Sequence, residues 1–271
     1  MLEVDFYLVD AFSERPFEGN SAAVCRLNRW LPDTLLQKMA RQHKQSETAF
    51  VVQSPDGFEL RWFTTRQEVN LCGHATLATA HVVFHQLNYP ERFVQFKTAS
   101  GLLTVAREGE WLTLDFPAGE LRAATPPARM LEALGIDRYV NASKGRAWVI
   151  ELETWSQVEA IKPQIHMMTP GDHKVAITAP GEGIYDFISR FFSPGEAVWE
   201  DPVTGSSHTM LIPYWGKRLG KTQMLARQIS ARGGDVRCEW RGDRVLMGGK
   251  ASLYMKGTLL LPEALSGSDG I

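Results

Sequence analysis

The chain predicts an α+β fold built as two similar strand-rich halves, each holding one apolar helix. Three observations carry this reading. The stretch "NLCGHATLATAHVVF" at 70–84 opens a helix with almost no polar face. The segment "RWFTTRQEVNL" at 61–71 matches "RFFSPGEAVWE" at 190–200, and each is followed by a glycine turn and an apolar helix. Between the copies, "DFPAGELRAATPP" at 115–127 gathers three prolines and a glycine, which suits a boundary between patterned regions. The expected halves are 1–117 and 118–271, with the last strand available to pair back onto the first half.

In the first half the alternation of apolar residues predicts strands at Val4–Leu8, Glu47–Val52, Phe58–Thr64, Leu102–Arg107 and Trp111–Phe116. Leu31, Leu35 and Met39, four apart, predict a helix over Leu31–His43, and a second helix begins near His74. Ala75, Leu77, Ala78, Ala80, Val82, Val83, Phe84 and Leu87 cover that second helix all round, so it belongs inside its sheet. The second half shows a short helix at Met130–Leu134 stopped by Gly135, then strands near Ala147–Leu152, Lys174–Thr178 and Phe187–Phe192. Arg61 lies over Arg190, 129 positions on, and Gly73 over Gly205, 132 on. The three extra residues of the second copy are assigned to "EDPVTG". Pro213 falls too deep in the second apolar helix for a first-turn proline, so it should kink the helix or free the Thr209 carbonyl.

Composition excludes several classes of function. With 29 basic and 31 acidic residues the formal net charge is −2, which offers no field for nucleic acid or an anionic membrane surface. "MLEVDFYLVDAF" lacks the basic start and unbroken apolar run of a secretory signal, and no stretch is long enough to span a membrane, so a cytoplasmic location is expected. Cys25, Cys72 and Cys238 are far apart and free of any CxxC spacing, which argues against disulfides and a structural zinc site. "GKRLGKT" at 216–222 is one residue short of a phosphate loop, and His81 and His85, spaced i, i+4, read as core or edge histidines without a third ligand.

The glycine turns point to chemistry. A helix start leaves backbone N–H groups without partners at the positive end of the helix dipole, and such a place favours an anion. Two such turns, Cys72-Gly73-His74 and Thr204-Gly205-Ser206, are expected to face one cleft and grip a small carboxylate. Glu47 stands at an otherwise uncharged strand start beside Phe50, Val51 and Val52, where desolvation suits a carboxylate to proton transfer. His74 and Ser206 are read as caps of the two helices, and Asp201 as part of the insertion in the second turn. Taken singly, each has a structural explanation: an edge glutamate, two helix caps and an Asp-Pro turn opener. Taken together, they outline proton transfer at a carbon made acidic by a neighbouring carboxyl or carbonyl.

In "VDAFSERPFEGNSAAV", "SETAFV", "RWFTTRQEVNLCGHATLATA", "FFSPGEAVWEDPVTGSSH", "PYWGKRLGK" and "GDRVLMGGKASLYMKGTL", the chain resembles the PhzF-like family over nearly its whole length. That family is named for an isomerase of phenazine biosynthesis and shares its fold with diaminopimelate epimerase. The resemblance implies two similar halves, each a strand-rich barrel around a central helix, an active site between them, and a homodimer. It implies that Glu47 is the proton-shuttling acid, with His74, Asp201 and Ser206 as polar partners and Gly73 and Gly205 as turn glycines. Cys72 and Ala75 border the first of these turns, and Asn20 in "EGNSAAV" is placed either in the cleft or in a turn. The implied reaction needs no metal and no organic cofactor. The epimerase relatives use one cysteine from each half, whereas here Cys72 is matched by Thr204, whose hydroxyl is far too weakly acidic to replace a thiol. The leading expectation is therefore an isomerase acting on a small carboxylate. A Cys72-dependent racemase or epimerase and a non-catalytic small-molecule binding protein are the alternatives.

Overall fold

The computed structural model describes residues 1–168, 174–194 and 199–263. Its contacts divide the chain into two units, Met1–Leu114 with Gly249–Ile271, and Asp115–Gly248. The chain leaves the first unit once and returns to it for the final strand.

In the first unit Leu2–Ala11 pairs antiparallel with both Ala251–Leu261 and Asn20–Leu27. Asn20–Leu27 runs parallel to Glu47–Ser54, which turns back antiparallel onto Gly57–Thr64. Gly57–Thr64 carries the two-residue strand Glu68–Val69 antiparallel and Phe93–Thr98 parallel, and Gly101–Glu108 follows antiparallel. The second unit repeats this order. Asn141–Lys144 pairs antiparallel with Trp148–Glu151, which runs parallel to Val175–Pro180, itself antiparallel to Phe187–Phe192. Phe187–Phe192 carries the two-residue strand Glu200–Asp201 antiparallel and Gln223–Gln228 parallel, and Gly234–Arg241 follows antiparallel. The duplication expected from one eleven-residue match therefore extends to the hydrogen-bonding order of each sheet.

Register corrects where the copies differ in length. Trp62 and Phe63 pair with Val69 and Glu68, while Phe191 and Phe192 pair with Asp201 and Glu200. The three extra residues thus fall between the paired positions Phe192 and Glu200, set against Phe63 and Glu68, and not within "EDPVTG". Residues 195–198 of the matched segment lie outside the described residues. Asp201 is accordingly a paired strand residue matching Val69, and no part of an insertion. The corrected alignment uncovers a shared fastening. Arg61 grips both oxygens of Glu68 at 2.7 Å and lies 5.2 Å over the Phe63 ring. Arg190 grips Glu200 at 2.7 and 2.9 Å and lies 5.0 Å over the Phe192 ring.

The first apolar helix is Gly73–His81, extended by a π-helical turn over Val82–Gln86. Every residue from His74 to Ala80 is buried, and the helix packs on strands Leu2–Ala11, Asn20–Leu27, Glu47–Ser54 and Ala251–Leu261. A helix this apolar is held by burial on all sides, about 25 cal/mol per Å² of apolar surface. The second apolar helix, Gly205–Leu219, contains Pro213. Proline has no N–H to offer the Thr209 carbonyl, and that carbonyl instead accepts the Gly119 N–H at 2.9 Å. Ala128–Leu134 ends at Gly135 in the left-handed conformation, φ 66°, as a glycine stop requires. The other helix of the first unit spans Asp33–His43, entered from Pro32 two residues later than expected.

Candidate active site

Glu47 opens the strand that follows the Asp33–His43 helix, and the link is short because Lys44 turns the chain in the left-handed conformation, φ 55°. Cys72 precedes the apolar helix as its cap residue in an extended conformation, φ −145°, and its own side chain makes no capping hydrogen bond. His74 is therefore not a cap. Its ring lies among three neighbours: Nε2 lies 3.4 Å from Glu47 Oε2 and 3.3 Å from Ser46 Oγ, and Nδ1 lies 3.5 Å from Cys72 Sγ. The His74 side chain is 7% exposed and that of Glu47 21%. The acid is thus largely withdrawn from water while keeping an opening to it. Thr76 fixes the turn from below, its hydroxyl donating to the Cys72 carbonyl at 2.5 Å.

Gly73 is half-buried and Ala75 fully buried in the first turn of this helix. Asn20 is buried at the head of its strand, and Ala23 lies opposite Thr48 in the parallel pair, so Asn20 and Glu47 mark the same end of two neighbouring strands. Gly19 makes this possible: its φ is 66°, and a Cβ there would stand 2.2 Å from the Ala11 carbonyl oxygen.

In the second unit Thr204 precedes the helix in the same extended conformation, φ −110°, again without a side-chain cap. Ser206 is exposed and does not cap it; its carbonyl accepts from the Thr209 hydroxyl at 2.8 Å. Gly205 is buried at the turn. The Thr204 hydroxyl donates a 2.6 Å hydrogen bond to Asp201 Oδ2. Fully buried Gln228 completes the group by accepting the Thr204 N–H at 2.9 Å and donating to the Asp201 carbonyl at 2.6 Å. His208 Nδ1 lies 2.8 Å from the Thr204 carbonyl, and burial holds its pKa down to about 4, so it stays neutral.

The structure thus brings Glu47, Cys72 and His74 together in the first unit, and Asp201, Thr204 and the Gly205 turn together in the second. Sequence reasoning missed Ser46 and Gln228. Ser46 was readable as the polar neighbour of Glu47. Gln228 had no signal to set it apart from Gln223, the other amide of the same strand.

A model of the family described as phenazine biosynthesis-like proteins (PhzC-PhzF) matches residues 9–257. A Pseudomonas aeruginosa protein named as an uncharacterized isomerase is 46% identical over 261 residues, covering 96% of this chain and all of that one. An uncharacterized isomerase of Halalkalibacterium halodurans is 39% identical over 96% of this chain and all of its own. The crystal structure of an Enterococcus faecalis PhzF-family protein superposes with a TM-score of 0.92 at 41% identity, over 96% of this chain and all of that one. An Agrobacterium vitis hydroxyproline epimerase, 11% identical over 97% of this chain and 94% of its own, shares the fold with a TM-score of 0.61. With the matched model spanning most of its length, this chain belongs to the PhzC-PhzF phenazine biosynthesis-like family.

Proposed function

We propose that the protein is an isomerase that relocates a proton on a small carboxylate substrate, with Glu47 as the group that carries it and no cofactor in the step. The observation that carries this reading is the Glu47 carboxylate, held against a buried imidazole beside the start of the apolar helix. On this reading the carboxylate of Glu47 takes a proton from a substrate C–H. The electron pair left behind delocalises into the adjacent carboxyl or carbonyl, and backbone N–H groups of the helix start stabilise the negative charge. Glu47, now protonated, returns the proton to the far carbon of a C=C already present in the substrate, whose π pair forms the new C–H bond while the pair left behind closes the new double bond. His74 orients the acid. Close relatives named as isomerases support the reaction class.

The test is deuterium wash-in at carbon from deuterated water, read by mass spectrometry on metabolite mixtures. Glu47→Gln should slow exchange by about 10²–10⁴-fold. Undiminished exchange would remove Glu47 from the role. A Cys72-dependent epimerase is the second reading, favoured by the Cys72–His74 contact, and is marked by rapid inactivation with a thiol reagent and protection by substrate. Thr204 disfavours it, since its hydroxyl is already committed to Asp201. We further propose a homodimeric state, as the family resemblance implies, and light scattering in solution tests it.

A further inference from the structure

We infer that Glu47, Cys72 and His74 form a binding site for a zinc-class divalent ion, whose occupation switches the protein off. The three side chains each present one ligand atom, and these atoms all lie within 4.8 Å of one another. A tetrahedral zinc ion takes sulfur at about 2.3 Å, nitrogen at about 2.0 Å and carboxylate oxygen at about 2.0–2.2 Å. Ligand atoms around such an ion stand a little over 3 Å apart. In the structure Glu47 meets the Nε2 edge of the His74 ring at 3.4 Å and Cys72 the Nδ1 edge at 3.5 Å, so the spread of up to 4.8 Å has to contract around a single ring nitrogen. Closing the set needs only side-chain rotation that brings sulfur and carboxylate toward one ring nitrogen. A thiolate, an imidazole and a carboxylate suit Zn²⁺ or Co²⁺ and not Mg²⁺ or Ca²⁺, which ask for oxygen alone. Three protein ligands leave the fourth position for water or a substrate carboxylate.

Binding is balanced by proton release: the Cys72 thiol gives its proton to solvent and coordinates as thiolate. The ion then holds the Glu47 carboxylate, which can no longer collect a proton from carbon. The inhibitory consequence rests on the proposed isomerase reading, whereas the binding itself does not. His81 and His85, with ring centroids 4.7 Å apart, are the competing place for such an ion, and they bring only two ligands.

The experiment titrates the chelator-treated, reduced full-length protein with cobalt(II) chloride. One equivalent should produce a thiolate-to-cobalt band in the near ultraviolet and visible bands of tetrahedral intensity, both abolished by one equivalent of zinc chloride. Cys72→Ser should remove the ultraviolet band and weaken zinc binding at least about tenfold, with its fold verified by circular dichroism. The His81→Ala/His85→Ala variant should keep both. Absence of the band in the parent protein, binding unchanged in Cys72→Ser, or loss of binding in the His81/His85 variant would each overturn the site. Deuterium exchange separates the two claims. Glu47-dependent exchange without a cobalt band removes the metal site and leaves the isomerase, while a Cys72-dependent band without exchange does the reverse.

Discussion

Gly119 and Met210 offer a quantitative check on how the second apolar helix is held. An alanine Cβ at 119 would stand 2.6 Å from Met210 Cγ and 3.1 Å from Thr209 Oγ1. Carbon atoms in contact sit at about 3.5–4.0 Å, so Met210 would have to retreat by about 1 Å. Retreat is obstructed, because Met210 Sδ is also pressed against Gly145, where an added Cβ would lie only 3.0 Å away. Overpacking of this kind costs about 1–3 kcal/mol. Moving Gly119 also strains its N–H bond to the Thr209 carbonyl, adding about 1 kcal/mol. Gly119→Ala should therefore lower stability by about 2–4 kcal/mol. Equilibrium urea unfolding, followed by the fluorescence of Trp215, buried and stacked on Phe187, measures it. Met210→Ala alone opens a cavity. Combined with Gly119→Ala, it should cost less than the sum of the two, by about 0.5–3 kcal/mol. A Gly119→Ala protein within about 0.5 kcal/mol of the parent, or strict additivity in the cycle, would refute the argument.

Three further outcomes are expected. Unfolded histidine protonates near pH 6.5, whereas His208 resists to about 4, so its share of stability is complete above pH 6.5 and drains away as pH falls toward 4. Urea midpoints across that window should fall less steeply in His208→Gln. Gln228→Leu takes the acceptor from the buried Thr204 N–H and a donor from the Asp201 carbonyl, and should cost about 3 kcal/mol by the same unfolding assay. Arg190→Met should cost about 3 kcal/mol and Arg61→Met about 1 kcal/mol in thermal unfolding. Arg190 is the more buried of the two and also donates to the carbonyls of Val158, Glu159 and Ile161.

Much of this arrangement was legible in the chain because local rules govern it. The helix from Gly73 announced itself by apolar residues on every side, the Gly135 stop by its glycine, and the loss of the helical bond to the Thr209 carbonyl by Pro213. The placement of the extra residues was not legible. An ungapped match set Ala197 over Glu68, and only strand register moved Glu200 into that place. The cap roles of His74 and Ser206 failed for a related reason. Residue type suggested a cap, but the ring of His74 finds better partners in Ser46, Glu47 and Cys72, all brought near by tertiary packing. The strand at Asn20–Leu27 was hidden by the glycine and asparagine that open it. Gln228 acquires its meaning only once Thr204 and Asp201 lie beside it.

The paired arginine forks carry a consequence for how this molecule came to specialise. Each copy keeps the same clasp of arginine, phenylalanine and glutamate a few residues ahead of its helix, while the residues just past the clasp have drifted apart: cysteine and histidine in one, threonine and serine in the other. A frame that is fastened twice in the same way leaves each mouth free to change its contents without loosening its mount. Division of labour between twins then requires only a handful of substitutions, and either mouth can be retooled while its sibling goes on working.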